Sequence, residues 1–254
     1  MFDCHLHTNF STDSTMLIEE ALDNANELGI GITLTEHMDL NCPVKGNFIF
    51  NPEDYFKQYS KYRSDKVLLG IELGLDTNYL EQNKLIVDTY PFDYVLGSVH
   101  IIGGIDLYYE DYYTGRTKKQ AFEEYFKYMI DCLKSHNFID SLGHIDYISR
   151  YARYEDREIY YEDFSEYIDE VLKLAIQNNI SLEINTRRFD KKENIKNIEK
   201  IYKRYYDLGG RLVTLGSDAH SKDAIGYKLQ AAKDLATSLD LKPVYFNERK
   251  IEYM

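Results

Sequence analysis

The chain has no tryptophan, only three cysteines and only four prolines in 254 residues. Cys4, Cys42 and Cys132 are an odd number without paired spacing, which argues against a disulfide framework and for a reducing compartment, so a cytoplasmic location is expected. No apolar run approaches the ~18 residues a membrane span requires. Met1-Phe2-Asp3-Cys4-His5 also lacks the basic and apolar regions of a secretory leader, so the protein should be soluble, with no membrane partner. Positive charge is scarce as well: 30 Lys and Arg stand against 43 Asp and Glu, for a net charge of −13. That balance opposes the phosphate-neutralising contacts that dominate nucleic-acid affinity, so no nucleic acid is expected as a partner. No linker or low-complexity tract interrupts the sequence, and its length suits one domain over residues 1–254.

What the chain does have is alternation. Short apolar runs and longer amphipathic segments take turns seven times, the pattern of repeated strand–helix units around a parallel sheet. The predicted strands end near His5, Thr35, Leu73, Val99, His144, Asn185 and Ser217. Between them, Leu17, Ile18, Ala21, Leu22, Ala25 and Leu28 keep helical spacing before Gly29, and Asn51-Pro52-Glu53 reads as a helix start with Asn as cap. The expected fold class is α/β, a seven-stranded barrel one strand short of the TIM barrel.

Ligand-grade side chains gather at those strand ends. His5, His7, Glu36, His37, Glu72, His100, His144, Asp218 and His220 all lie at or just past a predicted C-terminal strand end, where the loops of an α/β barrel converge on its active site. His5 and His7 are two apart on a strand, so they project to one face and can hold one ion, while Cys4 is expected to face the helices. Glu72 lies in the apolar run Leu69-Gly70-Ile71-Glu72-Leu73-Gly74, where an unpaired carboxylate would be costly and a cation would remove the cost. Asp13 reads equally as a ligand or as the cap of the first helix, a task Ser14 could also perform. His136, at a predicted helix C-terminus, reads as structural.

These segments, His-Leu-His-Thr-Asn-Phe-Ser-Thr-Asp, Thr-Glu-His, Gly-Ile-Glu-Leu, Gly-Ser-Val-His, Gly-His-Ile-Asp, Glu-Ile-Asn-Thr and Gly-Ser-Asp-Ala-His, together resemble the polymerase-and-histidinol-phosphatase (PHP) family, and its histidinol-phosphate phosphatase branch in particular. The resemblance runs from His5 to His220. It implies a distorted (β/α)7 barrel of PHP type with up to three divalent ions, zinc, manganese or iron. On that pattern His5, His7, Glu72 and Asp218 would hold one ion, Glu72 would bridge to a second held by His100 and His144, and Asp13, His37 and His220 would hold the third. Glu36, Ser98 and Ser217 would support the ligands. It further implies hydrolysis of L-histidinol phosphate, a small phosphorylated metabolite, by metal-activated water in histidine biosynthesis, with Glu72, Asp218 and His220 as catalytic groups.

Arg150, Arg153, Arg187 and Arg188 fall in the loops after the fifth and sixth strands, and Arg150, Arg187 and Arg188 are the expected phosphate binders. The loop Gly103 to Asp111 offers the acid and aromatic groups that an amine and an imidazole would need. Other readings are a phosphoesterase for nucleotides or phosphotyrosine, an amidohydrolase, which usually carries a lysine at the end of strand four where this chain has Gly-Ser-Val-His, and a non-catalytic metal-binding module.

Overall fold

A computed structural model describes residues 1–254. Nine strands form the main sheet in chain order: β1 (Phe2–Leu6), β2 (Gly31–Met38), β3 (Val67–Gly74), β4 (Tyr94–Ser98), β5 (Ser141–Leu142), β6 (Ser181–Asn185), β7 (Leu212–Gly216), β8 (Lys242–Asn247) and β9 (Lys250–Tyr253). Every pairing from β1 to β8 is parallel, and only β9 turns back antiparallel. The seven expected strands are therefore present and adjacent, but the expected count of seven is corrected to nine. Residues 242–253, read as no strand, form a terminal hairpin through Glu248 and Arg249, both at positive φ. Val244 and Phe246 of that hairpin pack against Phe2, Cys4, Leu68, Tyr94 and Leu96, a cluster near the N-terminal strand ends. The ladder is open in its strand order, yet β1 reaches the residues after β7 through a Leu6–Ala219 bridge and the bond from Asp218 N to the His5 carbonyl at 2.8 Å.

Helices cover the outside because each has one apolar face to bury. Among them are α1 (Ile18–Leu28), α2 (Pro52–Tyr59), α3 (Leu80–Thr89), α4 (Lys118–Leu133), α5 (Ile148–Tyr151), α6 (Tyr161–Gln177), α7 (Lys192–Asp207) and α8 (Leu229–Ser238). Asn51 caps α2 as expected, its side-chain oxygen accepting from Glu53 N and Asp54 N. Helix α1 begins later than its sequence suggests, with Leu17 at the cap position. Neither Asp13 nor Ser14 caps it; Ser14 Oγ donates instead to the carbonyls of His7 and His220. Sixty-one buried residues make one continuous apolar core, and no helix is long and apolar enough to cross a membrane.

One orientation differs from the alternating-strand expectation. The register of β1 against β2 shifts between Asp3 and Leu6, and such an irregularity redirects side chains. Cys4 consequently packs with Leu68 and Tyr94 rather than with the helices.

Candidate metal centre

Parallel register brings the ligand candidates together. His37 on β2 is the direct partner of Glu72 on β3, so both side chains leave the same face. Glu72 is fully buried and its two oxygens meet five imidazoles. Oε1 lies 2.9 Å from His144 Nε2 and 3.2 Å from His100 Nε2. Oε2 lies 3.0 Å from His37 Nδ1, 3.2 Å from His5 Nε2 and 3.3 Å from His7 Nε2. Asp218 follows β7 in the left-handed region at φ 57°, an uncommon conformation for a residue with a side chain. Its Oδ1 comes within 3.8 Å of both His5 and His7. Asp13 sits at the rim, 3.0 Å from His220 Nε2 and 3.5 Å from His37 Nε2. All nine ligand candidates thus form one cluster.

The hydrogen bonds on the far side of the rings decide what the near side offers. His5 Nδ1 is 2.7 Å from Glu183 Oε1, and His100 Nδ1 is 2.9 Å from Asp39 Oδ1, so each Nδ1–H donates to a carboxylate. Ser11 Oγ donates to Glu36 Oε2 at 2.6 Å and is left to accept from His7 Nδ1 at 3.1 Å. In their neutral forms all three rings therefore turn an Nε2 lone pair inward. Yet His5 Nε2 and His7 Nε2 face each other at 3.0 Å, and His100 Nε2 and His144 Nε2 at 3.4 Å. Neutral His5 and His7 rings would set two lone pairs face to face beside Glu72 Oε2, a buried carboxylate oxygen without a donor, and only a proton or a metal ion among them relieves that repulsion. The donor set of imidazole nitrogens and carboxylate oxygens suits a divalent transition ion.

Charge in the cluster is strongly coupled. Burial raises the Glu72 carboxyl, but His5, His100 and His37 outweigh it and hold it well below the usual carboxylate range. Burial opposes the charged form of His100, yet Asp39 and Glu72 push it up to about 10. His7 is driven down, first by burial and then by His37 and His220. The site favours positive charge but cannot place a proton on every ring.

Of the expected phosphate binders, two reach the cluster. Arg150 is almost fully buried and bonds Asp218 Oδ2 and, at 2.8 Å, Asn185 Oδ1, leaving its Nε without a partner. Arg187 donates to the Asp218 carbonyl at 2.7 Å and remains partly exposed. Arg188 is turned away and is tied to Asp146 and Glu158. Arg153 donates to the Tyr108 carbonyl. Glu36 accepts from Thr8 N, Thr8 Oγ1 and Ser11 Oγ, Ser98 Oγ donates to Glu72 Oε1 at 2.7 Å, and Ser217 donates to Asp3. Asp39 and Glu183 were missed as site residues, although Asp39 stands two residues after His37 on β2 and Glu183 lies within the quoted Glu-Ile-Asn-Thr. His136 is buried on Cys132 O, apart from the cluster.

The segment after His100 forms a small hairpin, Ile101–Ile102 with Ile105–Asp106, turned by Gly103 and Gly104 at positive φ. Beside the cluster it helps to enclose a cavity of about 320 Å3 lined by Asp13, His37, Asp39, Phe48, His100, Ile101, Asp106, Tyr108, Tyr109, Tyr147 and Tyr151. A smaller polar pocket adjoins it, sharing Asp13, His37, His100, Tyr147 and Tyr151 and adding Glu72, His144, Arg150, Arg187, Asp218 and His220.

Residues 3–187 match the PHP domain model. The chain belongs to the PHP domain family. The PHP match holds ligand candidates from His5 to His144, while Asp218 and His220 lie beyond it. Curated relatives align over most or all of the chain. It is 56% identical over 253 residues to the protein named "Probable histidinol-phosphatase" of Clostridium acetobutylicum, covering 100% of this chain and 99% of that one. It is 32% identical over 225 residues to the histidinol-phosphatase of Lactococcus lactis, covering 86% and 83%. A crystal structure of histidinol phosphate phosphatase from Lactococcus lactis, complexed with zinc, L-histidinol and phosphate, matches with a TM-score of 0.93 at 30% identity, covering 99% of this chain and 98% of that one.

Proposed function

We propose that this PHP chain is a histidinol-phosphatase, a metal-dependent phosphomonoesterase that hydrolyses L-histidinol phosphate to L-histidinol and phosphate. The observation that carries the chemistry is the cluster around Glu72, where the inward nitrogens of His5 and His7 face each other at 3.0 Å beside a donorless carboxylate oxygen. The substrate follows from the relatives of that name and from the Lactococcus protein with histidinol and phosphate bound. The seven parallel strands β1 to β7 act as a distorted barrel within one domain, and the protein works in the cytoplasm.

In this reading His5, His7, Glu72 and Asp218 hold one divalent ion, Glu72, His100 and His144 a second, and Asp13, His37 and His220 a third. Such ions supply a lowered water pKa and positive charge for phosphate oxygens. The chain's own groups do the positioning. Arg150, almost fully buried, offers a fixed guanidinium edge to the phosphate with little entropy left to lose, and Arg187 adds a second from the rim. Glu72 and Asp218 set the charge and spacing of the centre, and His220 stands where the cluster opens, 3.0 Å from Asp13. The neighbouring cavity takes the leaving alcohol, with Asp106 and four tyrosines facing its amine and imidazole.

The test is phosphate release from L-histidinol phosphate by purified protein of measured metal content, beside a nucleoside monophosphate and phosphotyrosine. Strong preference for histidinol phosphate supports the reading. Better turnover of either other ester keeps the metal chemistry and removes the substrate assignment, and no release at full metal occupancy removes both.

A further inference from the structure

Two buried carboxylates outside the expected ligand set, Asp39 and Glu183, each hold the outer nitrogen of a cluster imidazole, and each sits over a glycine. A methyl at Gly74, the last residue of β3, would meet Asp39 Oδ1 at 2.3 Å, and a methyl at Gly216, the last residue of β7, would meet Glu183 Oε1 at 2.2 Å. These two glycines end strands that deliver Glu72 and Asp218, so the backbone that brings in each ligand carboxylate also leaves the space for a supporting one. Asp39 Oδ1 receives His100 Nδ1, and its Oδ2 lies 3.5 Å from His37 Nδ1. Glu183 Oε1 receives His5 Nδ1, while Oε2 accepts His144 N at 2.8 Å and Asn185 Nδ2 at 3.1 Å. Between them the two carboxylates touch the β1, β2, β4 and β5 ends of the cluster.

We propose that Asp39 and Glu183 are positioning residues, seated on Gly74 and Gly216, that fix His100 and His5 as Nδ1–H tautomers so that each Nε2 lone pair is committed to the metal centre. The idea rests on the metal-dependent reading above. A carboxylate facing Nδ1 leaves only one low-energy tautomer, makes the opposite nitrogen a better donor to a cation, and removes the ring's freedom to flip. Neither residue lines the smaller pocket, and although Asp39 borders the larger cavity, a metal-affinity readout taken without substrate isolates the effect that passes through the histidines.

The experiment measures zinc affinity of metal-stripped, folded protein by competition with a chromophoric chelator, a readout independent of substrate. Asp39→Ala and Glu183→Ala should weaken zinc binding about 10- to 100-fold. Asp39→Asn and Glu183→Gln, which still offer a carbonyl oxygen to Nδ1–H, should restore most of that loss. Gly74→Ala keeps the carboxylate but displaces it, so it should weaken binding on its own and weaken it less when Asp39 is already alanine. Melting of each metal-free variant identifies any that fails to fold, and the asparagine and glutamine variants then carry the comparison. Wild-type zinc affinity in the folded alanine variants would overturn the proposal, as would equal loss in the alanine and amide variants. Failure of the wild type itself to bind zinc would instead overturn the metal-dependent reading, and this proposal with it.

Discussion

Replacing Glu72 with glutamine removes one charge from the centre of the cluster and almost nothing else. The amide matches the carboxylate in shape, and Ser98 Oγ can still donate to its oxygen. What disappears is a negative charge that now lies 2.9 to 3.3 Å from five imidazole nitrogens. A unit charge pair at about 4 Å and an effective dielectric near 20 is worth about 4 kcal/mol, roughly a thousandfold in affinity or rate. Glu72→Gln should therefore lose about that factor in kcat, and its metal content after dialysis should fall. The metal-free fold should survive at some cost, because Oε2 is a buried acceptor without a donor while His5, His37 and His100 lose the buried anion that favours their charged forms. The metal-free variant should still melt as a folded protein, below the metal-free wild type by about 3 °C for each ~1 kcal/mol lost at this size. The assay pairs phosphate release with metal quantified in the same sample. Wild-type turnover at matched metal content would refute the placement of Glu72 at the centre, and collapse of the metal-free variant would make its role structural.

Arg150→Ala should raise KM for histidinol phosphate and lower stability, because Asp218 loses its buried partner; an unchanged KM would move phosphate recognition to Arg187. Arg188→Ala should cost about 3 kcal/mol of stability, because Asp146 and Glu158 are left with unpaired charge, while kcat/KM per folded molecule stays unchanged. A fall in kcat/KM there would return Arg188 to the site. Burial holds His136 below its ordinary pKa, so the unfolded chain binds a proton the folded one refuses, and stability falls as pH drops below about 6.5, by up to ~1.4 kcal/mol per unit. In metal-free protein, His136→Asn should remove that part of the acid slope in denaturant titrations between pH 7.5 and 5.5, and equal slopes would refute the assignment. Inorganic phosphate should raise the melting temperature only when divalent metal is present; the same rise in chelator-treated protein would show that the arginines suffice.

Much of this was legible because parallel strands write their chemistry at one end. His5, His37, Glu72, His100, His144 and Asp218 could be placed from apolar runs ending in ligand-grade residues, since such an end has one direction and one face. The supporting carboxylates were less legible. Glu183 meets His5 across 178 positions of sequence, and a glutamate on a strand looks the same whether it faces solvent or an imidazole. Only the closing of β1 onto β7 makes the pair. Arg187 and Arg188 were read together, but neighbouring residues point apart, and the acids Asp146 and Glu158 take the second. The terminal hairpin escaped because Lys242-Pro243 opens a short, mixed run whose burial comes from the small cluster at the opposite strand ends, a tertiary cause with no local signal.

The charges also impose an order on the reaction. A phosphate dianion approaches a protein of net charge −13. The cluster it must enter holds Glu72 and Asp218, with Asp39, Glu183 and Glu36 immediately behind them, all buried. Glu36 is offset by three hydroxyl and amide donors, and Arg150 is already engaged by Asp218, so the fixed groups alone leave little to attract a second anion. On the metal-dependent reading proposed above, positive charge in the centre should therefore precede substrate, and the same carboxylates that oppose phosphate favour a divalent ion. The acids that hold the histidines in their tautomers serve the same end, because a ring whose outer nitrogen already donates to a carboxylate can satisfy its inner nitrogen only with a proton or a metal. Where an inward nitrogen faces a second imidazole, as His5 faces His7, one metal would satisfy both, and the site would become able to bind phosphate at that step.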